Sequence, residues 1–261
     1  MAGRTSALAC LALAIGSCLA AEASPANFTV HGAGSERGGR ILQHAESARV
    51  RTFTTLLGIA SPAHWDVRCE IHLHASEGSF AAAVGGPPDG ARGATAIEFA
   101  GPDVVLRRID LMDDEPAGVP AALDHELVHV VLADKFTAAP PPRWADEGLA
   151  VLFDDGDKQA AHDDDYRAAR RSGMTWGVGH LLEMEDYPRE VHRQRVFYGQ
   201  SAALVRWLLE RGGTNTLMAF LDDAATVGHR EALERHYGFT SAAALERAWL
   251  AEPAGSDVGV D

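Results

Sequence analysis

The segment His125-Glu126-Leu127-Val128-His129 sets two imidazoles four positions apart, with a carboxylate directly after the first. On a helix, positions i and i+4 share a face, so both rings can address one cation. Glu126 falls off that line, close enough to take a proton from water on the cation without ligating it. This is the H-E-x-x-H pattern of hydrolytic zinc sites, and Zn²⁺ is the expected cofactor. Around it stand Leu123, Leu127, Val128, Val130, Val131 and Leu132. An apolar setting of that kind buries the polar residues and obliges them to find partners.

Two histidines leave a catalytic zinc one protein ligand short. The next apolar segment, Arg143 to Val151, carries two adjacent carboxylates, Asp146 and Glu147. Glu147 lies eighteen residues past His129, across a Pro-rich turn at 138–142 that lets two helices lie side by side. Either carboxylate could complete the set; Asp146 could instead hold a ligand histidine in place from behind. Further along, Tyr198-Gly199-Gln200-Ser201-Ala202 opens an apolar helix that continues through Leu204, Val205, Trp207, Leu208 and Leu209.

Taken together, these segments resemble the gluzincin zinc metallopeptidases, specifically the peptidase MA-like group related to the M1 aminopeptidases. That group follows H-E-x-x-H with W-x-x-E-G-x-A on the next helix, and Trp144, Glu147, Gly148 and Ala150 match it. The resemblance implies that His125, His129 and Glu147 hold the zinc and that Glu126 is the general base. It also implies that Tyr198 steadies the oxyanion of the tetrahedral intermediate, a contribution usually of a few kcal/mol. Ser201 stands where the aminopeptidases have glycine. No G-x-M-E-N-type segment for a free amino terminus is found, and Gly93 to Glu98 is its only positional counterpart. The resemblance covers roughly 123–211.

The elements that must carry these residues follow from periodicity. Gly32 to Gly39 reads as a loop, Arg40 to Leu57 as a helix, and Trp65 to His74 as a half-buried strand. In that strand Val67, Cys69, Ile71 and Leu73 face one way, and Glu70, His72 and His74 face solvent. A Gly/Pro loop at 85–93 leads to strands at 94–99 and 104–111. Helices are expected at 120–135, 144–153, 196–211 (stopped by Gly212-Gly213), 214 onward, 230–237 and 241–251. The acidic stretch Asp154 to Asp165 reads as a solvated loop, lacking calcium-loop spacing. Trp176 and Trp207 are expected in the core.

Strands first and helices after indicate an α+β fold. The resemblance makes it zincin-like, with a strand-rich lobe over 24–112 and a helical catalytic lobe over 113–261. Residues 1–23 read as a secretory signal: a basic start, a short apolar core from Ala7 to Leu19, and an Ala21-Glu22-Ala23 cleavage pattern. The expectation is an exported protein, periplasmic or secreted. The rival is a lipoprotein anchored at Cys18, which follows Ile15-Gly16-Ser17 and gives the one route to a membrane. Cys69 is then the lone mature cysteine, read as a small buried hydrophobe. With 23 Lys and Arg against 37 Asp and Glu, net -14, a broad nucleic-acid surface is excluded. The expected function is hydrolysis of peptide bonds in a peptide or protein substrate. The alternative is a zinc-binding but catalytically idle domain that recognises a protein or peptide partner.

Overall fold

The computed structural model describes residues 27–86 and 90–252. The stretch read as an export signal, with its cleavage pattern and Cys18, lies outside the described residues. Among the described residues, no helix is long and apolar enough to cross a membrane.

In the described residues four strands form one mixed sheet in the order β1-β2-β4-β3: β1 (Phe28–His31), β2 (Cys69–His74), β3 (Gly93–Ala100) and β4 (Asp103–Met112). β1, β2 and β4 run parallel, and β3 returns antiparallel along one edge. Alternation places Phe28, Cys69, Ile71, Ile109 and Leu111 on the inner face, all buried. Helix α1 (Ser35–Leu57) crosses over between β1 and β2 and covers that face with Ile41, Ala45, Ala48 and Phe53. Helix α2 (Glu77–Val84) lies toward the outer face, where Phe80 is buried beside His74.

The chain then becomes helical. Helix α3 (Leu123–Lys135) is followed by α4 (Arg143–Val151), α5 (Gly156–Ser172), α6 (Val178–Leu182), α7 (Val191–Val227), α8 (His229–Tyr237) and α9 (Ala242–Ala251). α3 is the shared wall of two cores. Its Leu123, Leu127, Val130 and Val131 pack under the sheet, while Val128 and Leu132 join the helical core around Trp144, Phe197, Leu204 and Phe220. A helix apolar on so many sides is one that is buried on them.

Several elements differ from the sequence reading. α1 begins at Ser35, inside the stretch read as a loop, because Arg37 is anchored across the fold. Its guanidinium donates to Asp113 and to the carbonyls of Glu115 and Gly118. Those contacts offset the conformational cost of Gly38 and Gly39 in a helix. The strand read from Trp65 starts only at Cys69. Trp65 is held instead by Asn27, whose side-chain oxygen accepts its backbone N–H, and by Arg49 and Arg107 over its ring. His74 is not solvated: it lies 2.7 Å from Asp110 and beside Phe80.

The acidic stretch is also a helix rather than a loop. Asp155 caps α5 by accepting the Lys158 backbone N–H, acids fill its first half, and Arg170 and Arg171 close its last turn. That charge order complements the helix dipole. α7 starts earlier than read and continues past Gly212; a break at Gly213, with φ 70°, falls where the stop was expected. β1, α2 and α6 are too short to announce themselves by periodicity. Cys69, the one cysteine among the described residues, is buried and free, and burial pushes its thiol up to about 12.

α4 and α7 cross at Gly148. A Cβ there would stand 2.6 Å from Val205 Cγ2 and 2.7 Å from the Ser201 carbonyl oxygen. The small Ser201, fully buried, faces this crossing from α7. Gly148→Ala should gain about 1 kcal/mol in helix propensity and lose more to overpacking against backbone that cannot yield. Urea denaturation should show the variant less stable by roughly 1–3 kcal/mol.

Candidate metal centre

α3 and α4 lie side by side and bring His125, His129 and Glu147 together. One ligand atom from each lies within 4.8 Å of the others. The Nε2 of His125 is 3.3 Å from Oε2 of Glu147, and the Nε2 of His129 is 3.8 Å from the same oxygen. That oxygen is buried and has no hydrogen-bond partner. An orphaned carboxylate oxygen facing two imidazole nitrogens is a costly arrangement unless a cation sits among them. The donor set of two imidazoles and a carboxylate suits Zn²⁺.

Each of the three is held from behind. Nδ1 of His125 lies 3.3 Å from both carboxylate oxygens of Asp154, whose side chain is fully buried and also receives Lys158 Nζ at 2.8 Å. Nδ1 of His129 lies 2.9 Å from Asp146 Oδ1, though off the hydrogen-bond direction. Tyr187 donates its hydroxyl to Oε1 of Glu147, and Arg143 stacks over the Tyr187 ring at 4.3 Å. Of the two adjacent carboxylates, then, Glu147 joins the cluster and Asp146 stands behind His129. Carboxylate partners on the far nitrogen orient a ligand imidazole and raise its basicity.

The electrostatics are those of a cation trap. Burial works against charge on both rings, yet Asp154 and Glu147 raise His125 to about 9. Asp146 and Glu147 raise His129 to about 10. Burial likewise disfavours the Glu147 carboxylate, but the two histidines and the Tyr187 hydroxyl bring it down to about 2. In each case neighbouring charge and hydrogen bonding outweigh desolvation. Bound zinc would replace those protons as the positive partner.

A cavity of about 360 Å³ opens onto this cluster, lined by His125, Glu126 and Tyr198 together with Gly93, His162 and Arg195 among others. Glu126 is buried, and its Oε2 accepts from the Thr95 hydroxyl at 2.7 Å. β3 therefore runs directly beside α3. Gly93 makes this possible, since a Cβ there would meet Glu126 Oε1 at 2.5 Å. Tyr198 is half-buried on α7, near His162 and Tyr187 (ring centroids 5.6 Å and 6.3 Å). Burial first, then the nearby carboxylate of Glu147, raises its hydroxyl pKa and keeps it a proton donor.

All five residues singled out from the sequence thus lie at one place. Asp154 and Tyr187 were missed. Asp154 sat in a run of acids with no mark to separate it from its solvated neighbours. Tyr187 lies in the irregular link between α6 and α7, where spacing carries no information. No family model, no curated protein and no solved structure matches the chain.

Asp154→Asn keeps the size of the side chain and removes the charge behind His125. Zinc affinity, read by competition with a chromophoric chelator, should fall about 10- to 100-fold while the far-ultraviolet circular dichroism stays unchanged.

Proposed function

We propose that the chain is an exported zinc metallopeptidase that hydrolyses peptide bonds in a peptide or protein substrate. The observation that carries this reading is the convergence of His125 and His129 on the orphaned oxygen of Glu147, with Glu126 lining the cavity alongside. A zinc ion held by the three side chains would supply an acidified water and a Lewis acid for a carbonyl. Glu126, held by Thr95, accepts the proton of the attacking water and delivers it to the leaving nitrogen. Oxygen thereby bonds to the carbonyl carbon, the C–N bond breaks, and the amine leaves neutral. Tyr198 makes no side-chain hydrogen bond among the described residues, and its hydroxyl donates to the oxyanion. The resemblance of these segments to the gluzincin, zincin-like peptidases supports the same roles. Export rests on the N-terminal 23 residues alone, with lipidation at Cys18 as its variant.

The outer edge of β3 is unpaired in the sheet, and its first residue lines the cavity. An extended peptide laid along such an edge gains backbone hydrogen bonds independent of its sequence. Selectivity comes from the lining. Arg92, Lys158 and Arg195 face the cavity of a chain whose net charge is -14. Arg92 is near Asp114 and Lys158 is paired with Asp154, while Arg195 makes no ion pair among the described residues. Burial lowers the pKa of His162 and so works against its charged form. The free guanidinium favours substrates that bring a carboxylate to that wall.

Glu126→Gln decides between peptidase and idle reader. Both proteins should retain about one zinc at this centre, and only the wild type should cleave a peptide library. Zinc bound by both with cleavage by neither would favour the reader; no zinc in either would overturn the metal centre. Arg195→Glu should lower kcat/KM for peptides rich in Asp and Glu by roughly tenfold, the order of one partly screened charge pair, and spare neutral ones.

A further inference from the structure

The outer face of the sheet, opposite α3, carries a second group of metal-ligating side chains. β1 and β2 pair in parallel with His31 opposite His72, and Glu70 lies two residues before His72 on the same face. The two imidazoles stack with centroids 4.4 Å apart and planes 18° from parallel. Nε2 of His72 is 3.1 Å from Oε2 of Glu70. One ligand atom from each of the three lies within 4.8 Å of the others. We propose that His31, Glu70 and His72 form a second divalent transition-metal site, which ties β1 to β2.

Neighbouring groups leave this trio free for an ion. Asp110, opposite His72 on β4, is taken up by His74 and by both ends of the Arg108 guanidinium. Arg108 stands opposite Glu70 and its charge reaches that carboxylate, yet its hydrogen bonds go to Asp110, and the side-chain hydrogen bond of Glu70 is the one with His72. The His31 side chain makes no hydrogen bond among the described residues. Two stacked imidazole rings with a carboxylate beside them offer nitrogen and oxygen donors together. That mixture suits Zn²⁺, Ni²⁺ or Cu²⁺; Ca²⁺ and Mg²⁺ call for an all-oxygen shell. His31 and Glu70 are exposed and His72 half-buried, leaving room for water to complete the coordination.

The site has a mechanical meaning. β1 is four residues long, sits at the sheet edge and pairs only with β2. A short edge strand of this kind is held weakly by its ladder alone. An ion bound by His31 on one strand and by Glu70 and His72 on the other would clip it in place, and with it the entry to α1. Binding to the folded state alone raises the melting temperature with metal concentration.

The test is zinc stoichiometry and melting temperature of the full chain, wild type beside His31→Ala and Glu70→Gln. Both changed side chains are exposed, and circular dichroism verifies that the fold is kept. The wild type should bind about two zinc ions and each variant about one at the same free zinc, with the added thermal shift lost; calcium should shift neither. A chain that binds a single ion and loses it in His31→Ala upholds the sheet site while removing the ion from the α3–α4 centre. Equal stoichiometry and equal zinc-dependent melting in wild type and both variants would overturn the proposal.

Discussion

Two imidazoles and a carboxylate buried at a helix–helix contact cannot be left to solvent, and much of this fold is arranged to satisfy them. α3 carries the two histidines while being packed under the sheet on one side and against the helical core on another. Water is thereby excluded from most of the helix, so every polar group on it must be met by protein or by a bound ion. Asp154, Asp146 and Tyr187 meet three of the outward atoms from α4, from its C-terminal turn and from the α6–α7 link. Asp146 approaches Nδ1 of His129 off the hydrogen-bond direction, and Oε2 of Glu147, facing the two Nε2 nitrogens, has no hydrogen-bond partner at all. A cation held at that orphaned oxygen would lower the energy of the whole arrangement.

Holding that geometry requires the helices to approach closely, and the approach is set by small residues. Gly148 follows Glu147 directly, so the α4–α7 crossing at Val205 and Ser201 fixes the height and rotation of Glu147 toward α3. Gly93 plays the same part for Glu126 from the other side. With any side chain there, β3 would be pushed off the helix, Thr95 would lose its contact with the carboxylate, and the cavity wall would shift. The proposed ligand set and base are therefore positioned by packing distances rather than by long flexible side chains. Rigidity of that sort is what a site for ordered proton transfer needs.

How much of this could be read beforehand depended on the range of the interaction. The i, i+4 histidines and the strand alternation of Cys69 and Ile71 are local, and local periodicity reports them faithfully. The strands over 93–112 and the helices bearing His125 and Glu147 emerged at nearly their observed places for that reason, whereas the helix bearing Tyr198 was read as starting at Val196 and starts at Val191. α5 did not, because its acids look like a solvated loop until Asp155 is seen capping a helix with arginines at the far end. α1 was shortened because the contacts that make its glycines tolerable come from Arg37 reaching residues some eighty positions away. Asp154 and Tyr187 belong to the same class, since each matters only through a partner 29 or 40 residues distant.

The choice between Asp146 and Glu147 shows where local reasoning ends and packing begins. Adjacent helical positions point about 100° apart, so one helix can aim only one of them at the histidines. Spacing from His129 does not say which, because the Pro-rich turn can absorb a residue either way. The decision falls to the other face of α4: Gly148 must meet α7, Trp144 must enter the core between α4 and Phe220, and with those two fixed Glu147 faces α3. Asp146 is rotated to the rim, where it is half-exposed and supports His129 from outside. The same rotation that gives the longer carboxylate to the cluster thus gives the shorter one to its support. Trp144 and Gly148 are then what aim Glu147, which stands between them, at the two histidines.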